Sequence, residues 1–67
     1  MTGTVTREYF LKVAEAKAAY AAALRVEADA ESMVGHEEQA ETFRRFASQW
    51  DALAASYRAS AEQAYAA

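Results

Sequence analysis

Through the second half of the chain the large apolar residues recur at alternating spacings of three and four: Phe43, Phe46, Trp50, Leu53 and Tyr57, with Ser60 and Ala64 continuing the line. That rhythm is the seam of a helix that lays one face on a partner. Arg44, Arg45, Ser48, Asp51, Ala55, Arg58 and Glu62 fall off the line, so the opposite face reads as solvated. The pattern predicts a helix over about 37–64.

The first half carries two apolar lines instead of one. Val13, Ala16, Tyr20, Ala23, Ala30 and Val34 form a seam flanked by Phe10 and Leu24, while Leu11, Ala18, Ala22, Val26 and Met33 gather on nearly the opposite side. A helix apolar on two sides needs two neighbours, and a hairpin supplies one. The expected core within the hairpin is therefore Phe10, Val13, Tyr20 and Leu24 against Phe43, Phe46, Trp50, Leu53 and Tyr57. Leu11, Ala18, Ala22, Val26 and Met33 become the candidate oligomer face, where alanine lets backbones of neighbouring subunits come close.

Helix boundaries follow from local chemistry. Thr6 is a candidate N-cap, with Val5 and Phe10 placed as a hydrophobic staple, so the first helix is expected over about 7–34. Gly35 suits the left-handed position just past a helix end, and His36, Glu37, Glu38 and Gln39 read as a new start with acids at the positive end of the helix dipole. A turn at 35–36 favours antiparallel neighbours. The competing picture, one helix running through Gly35, costs only about 1 kcal/mol locally but demands partner chains along its whole length. The predicted fold class is all-α: a two-helix antiparallel hairpin that associates into a helical bundle or coiled-coil oligomer.

Size and composition sharpen this. With 67 residues there is one domain at most, at a length where a single core barely suffices. The chain has no cysteine and one histidine, so disulfides and thiolate metal sites are excluded and oligomerisation is the remaining support. Proline is absent, and only Gly3 and Gly35 interrupt helix-favouring composition. A net charge of -3 argues against a protein built to neutralise nucleic-acid phosphates. The longest apolar run, Ala18 to Leu24, is far below the roughly 20 residues that span a bilayer, and no signal peptide is visible at the start. The expectation is a protein that acts inside a cell or within a virion, away from membranes.

Few residues invite chemistry. Glu27 interrupts the Val13–Tyr20 seam, and in a hairpin turning at Gly35 it comes level with about residue 44. Glu27 or Glu31 is thus expected to pair with Arg44 or Arg45, fixing register more than adding stability. Shorter pairs, Glu8 with Lys12 and Glu41 with Arg45, stand four apart in the favourable order. A di-metal carboxylate site would need a Glu-x-x-His step, which is missing; His36 lies five residues beyond Glu31, across the glycine. No cofactor, metal or small-molecule ligand is expected, and no thiol, phosphate loop or nucleophile–base cluster points to an enzyme.

A small helical hairpin with a tryptophan resembles the secreted WXG-type proteins in outline only. Here Trp50-Asp51-Ala52 lies within a helix and has alanine in place of the motif's glycine, so membership does not follow. The expected function is a non-catalytic structural or interaction module that self-associates or joins a larger complex. Alanine richness and arginine in excess of lysine narrow this, by compositional association, to a bacteriophage virion or assembly component. The alternative is a small regulatory adaptor that docks through an apolar face or through the acidic tip formed by Glu27, Asp29, Glu31, Glu37, Glu38 and Glu41.

Overall fold

In the computed structural model, which describes residues 2–66 and the side chains of residues 5–64, the chain forms two helices, α1 (Thr2–Met33) and α2 (Glu37–Ala66). They pack side by side along their length as an antiparallel hairpin, and no strand occurs among the described residues. The Cα trace is a flat rod with extents of 52 × 13 × 9 Å. Its length is what about 32 residues give at a rise of about 1.5 Å each.

The reversal is a Schellman closure. His36 N–H donates to the Glu31 carbonyl at 2.9 Å and Gly35 N–H to the Ser32 carbonyl at 3.1 Å, the pair of bonds that satisfies the last carbonyls of a helix. Gly35 has φ +84°, a left-handed backbone that a Cβ disfavours. The His36 carbonyl then accepts the Ala40 N–H at 3.0 Å, which starts α2. Glu37 and Glu38 in the first turn of α2 face its positive dipole end. The hairpin, not the continuous helix, is the fold.

The first helix begins about five residues earlier than the cap signal suggests. Thr6 lies inside α1 and so cannot act as N-cap, a position that needs non-helical backbone. Nothing between residues 2 and 6 forbids helix, since β-branched threonine and valine only lower its propensity and Gly3 costs about 1 kcal/mol.

The fully buried layer consists of alanine alone. Ala14, Ala21 and Ala28 on α1 and Ala40, Ala47, Ala54 and Ala61 on α2 are each 2% exposed or less. Within each helix they stand seven apart, one per two turns. Tyr20 packs against Trp50 and Phe10 against Tyr57 across the seam. A methyl at each contact lets the backbones approach toward the short end of the usual roughly 8–10 Å.

This corrects the expected core. Of its nine residues, Tyr20, Phe46 and Leu53 are exposed, at 49%, 44% and 39%, while Phe10, Val13, Leu24, Phe43, Trp50 and Tyr57 are half-buried. No large side chain is fully buried among the described residues. The reason is geometric: once alanines set a close approach, bulky side chains have no room between the helices and are turned out along the seam's edge.

Candidate functional site: an aromatic flank

Position relative to the alanine line decides which side each residue takes. Phe43, Trp50 and Tyr57 stand three residues after a core alanine, and Phe46 and Leu53 one residue before one. Both offsets rotate to the same side of α2 at about 100° per residue. On α1, Phe10, Lys17 and Leu24 stand four before a core alanine, and Val13, Tyr20 and Glu27 one before. Because the helices are antiparallel, these α1 and α2 rows share one flank of the hairpin. Ring contacts join them: Tyr20 meets Trp50 edge-on with centroids 5.1 Å apart, and Phe10 meets Tyr57 at 6.1 Å. Tyr9 adds an edge contact to Phe10 at 5.5 Å.

Lys17 lies in the middle of this flank. Its Nζ stands 5.2 Å from the Trp50 ring centroid and 5.4 Å from that of Tyr20, so the ammonium is shared by two aromatic faces. Beside it, Phe46, Gln49, Trp50 and Leu53 line a shallow open groove of about 410 Å³. One amide among three apolar walls does not make the convergent polar set that orients a small molecule. The groove suits an apolar side chain from another polypeptide.

The opposite flank is polar. Arg25 donates from Nη2 to Asp51 at 2.6 Å, crossing between the helices with both partners about half exposed. Arg44 reaches across to Asp29 at 3.4 Å and to Ser32 Oγ at 3.2 Å. At the tip, His36 Nδ1 contacts Glu31 Oε1 at 2.7 Å and Ser32 Oγ donates to Glu37 at 3.3 Å. The predicted partners are therefore redistributed: Arg44 takes Asp29, Glu31 takes His36, and no cross-helix ion pair of Glu27 or Arg45 occurs among the described residues. Glu27 belongs to the aromatic flank and Arg44 to the polar one, so the two point apart. Lys12 pairs with Glu15 at 3.5 Å and not with Glu8.

The predicted oligomer face is split. Leu11 and Ala18 are half-buried at the polar flank beside α2, whereas Ala22, Val26 and Met33 lie outward, Val26 at 69% and Met33 at 85% exposure. Val26 and Met33 stand two turns apart on the outer back of α1, with exposed Ala30 between them on the same line and Asp29 beside it. Sequence reasoning did not assign roles to Lys17, Gln49, Arg25 or Asp51. Lys17 and Gln49 could have been found by taking the alanine heptad as the seam and asking what stands beside it.

Among the described residues no three His, Asp or Glu side chains group as metal ligands, and no helix is long and apolar enough to cross a membrane. Comparison with protein-family models, with curated proteins and with solved structures finds no match for this chain.

Proposed function

We propose that this chain is a non-catalytic interaction module whose working surface is the aromatic flank, and that it acts by joining copies of itself into a helical bundle or by seating in a larger assembly. The observation that carries this reading is the contrast in burial. Alanines fill the seam, while Tyr20, Phe46 and Leu53 remain 39–49% exposed beside the Trp50 groove. Contiguous apolar surface of this kind on a small protein marks an interaction site more often than a free face. A bacteriophage virion or assembly component is the narrower form of the reading, and it rests on composition alone.

The adaptor reading through the acidic tip has weaker support. Asp29, Glu31 and Glu37 are already engaged with Arg44, His36 and Ser32, which leaves Glu27, Glu38 and Glu41 for a basic partner. The test is sedimentation equilibrium across a dilution series, with helicity and Trp50 fluorescence read on the same samples. Association is expected to fall with dilution, and Phe46→Glu is expected to reduce it while Val26→Glu leaves it unchanged. A wild-type chain that stays monomeric and cooperatively folded at every concentration removes the self-association reading.

A further inference from the structure

Resting on the reading just given, we infer that the occupant of the aromatic flank is a second copy of the chain, turned end for end about a two-fold axis that passes at the level of Gln49 and Trp50. Three observations converge on this arrangement.

The first is area. The chain exposes 4807 Å² at a mass of 7.3 kDa. A compact monomer of that mass exposes roughly 4,200 Å². The excess, roughly 600 Å², goes with the elongated shape, and the flank runs along a rod 52 Å long. A second copy of the same rod, with a flank of equal length, is the right size to cover it.

The second is the sequence of the outermost row on α2. Gln39, Phe46, Leu53 and Ser60 follow one another at seven-residue spacing, each one residue before a core alanine. The row runs polar, apolar, apolar, polar and is symmetric about a point between Gln49 and Trp50, the centre of the groove. Reversing it on itself sets Phe46 against the partner's Leu53 and Gln39 against the partner's Ser60. A two-fold interface requires such self-complementarity, because each contact is made twice.

The third is charge. Lys17 lies near the middle of the flank and Glu27 toward the turn end. The Tyr20–Trp50 contact puts the two-fold axis at about residues 20–21 of α1. An axis at that level sets Lys17 opposite about position 24 of the partner, one turn from Glu27 on the same flank, so each Lys17 comes within side-chain reach of the partner's Glu27. The other symmetric stacking, with the axis along the rod, lays α1 of one copy over α2 of the other and brings no carboxylate of this flank to Lys17. Unlike charges placed in register select one arrangement over another more than they add affinity. Glu27 is exposed and makes no ion pair within the hairpin among the described residues, so it is available for this role.

The dimer dissociation constant is measured by sedimentation equilibrium for the wild type, Glu27→Lys and the double variant Lys17→Glu/Glu27→Lys, with circular dichroism confirming helicity. Glu27→Lys is expected to raise it about tenfold, because both copies then oppose like charges, and the double swap to bring it back to within about threefold of wild type. Since the chain has no cysteine, disulfide trapping gives a second readout that leaves the seam untouched. Ser60→Cys mixed with Gln39→Cys is expected to cross-link predominantly as the mixed pair under mild oxidation, with little of either self-linked pair. A wild-type dimer unmoved by Glu27→Lys, or one whose Ser60→Cys chains link chiefly to each other, overturns the end-for-end arrangement and leaves self-association standing. A chain monomeric at about 100 μM overturns both.

Discussion

The seam between the helices and the flank beside it use apolar residues in opposite ways. In the seam, seven alanines are 2% exposed or less and contribute little area each. On the flank, Phe46, Leu53 and Tyr20 carry several times the apolar surface and keep 39–49% of it exposed. Small side chains here set the distance between backbones, and large ones present surface. The lesson is that burial within the chain and hydrophobicity along the sequence part company when the helices pack closely, because a close approach excludes the very residues that a hydrophobicity pattern ranks highest.

Enlarging the seam breaks that arrangement most directly. Ala21→Leu or Ala47→Leu is expected to destabilise the hairpin by about 1–3 kcal/mol, since both positions are 0% exposed and the added carbons must force the helices apart. Urea denaturation followed by circular dichroism reads this. Leu53→Ala, a larger loss of apolar atoms, is expected to move the unfolding midpoint less at concentrations where the chain is monomeric. If Leu53→Ala proves the costlier change there, the division between seam and flank is wrong.

Next in size is the turn that holds the two rows in register. Gly35→Ala is expected to cost about 1–2 kcal/mol from the left-handed backbone alone. A Cβ at Gly35 meets nothing within 4 Å, so no steric clash adds to it. Gly35→Asn should cost less, because asparagine enters this region more readily. Thermal melts of the two variants side by side would show the order; equal losses would mean that something other than backbone handedness is at stake.

The polar flank is expected to matter less. Arg25→Ala removes the 2.6 Å pair with Asp51, whose side chains are 47% and 46% exposed, and should cost about 0.2–1 kcal/mol, shrinking as salt is raised. Smallest of all is Lys12→Ala: Lys12 and Glu15 are 83% and 73% exposed, and the melting curve is expected to be unchanged within error. A salt-independent loss at Arg25 would show that its aliphatic stem, not its charge, covers the seam.

Much of the fold was legible before any coordinates. Missing prolines and the Gly35-His36-Glu37 step locate two helices and the break between them, because only glycine takes the left-handed C′ position without strain and acids favour the helix start that follows. The expectation that residue 27 lies level with about residue 44 comes from counting outward from the turn. Less legible was the seam. Ala14, Ala21, Ala28, Ala40, Ala47, Ala54 and Ala61 repeat every seven residues in plain view, yet a search for amphipathicity weights large residues and passes over alanine. On α1, where apolar residues fall on more than one side, pattern alone does not choose the face that meets α2.

The sequence by itself determined that two long helices form and where the chain turns, since both are properties of neighbouring residues along one backbone. Tertiary structure alone decided which residues are inside: how closely two helices approach depends on the smallest side chains along both at once. With alanine meeting alanine down the whole length, the aromatic residues were set at the edge, leaving Trp50 and its neighbours to face outward.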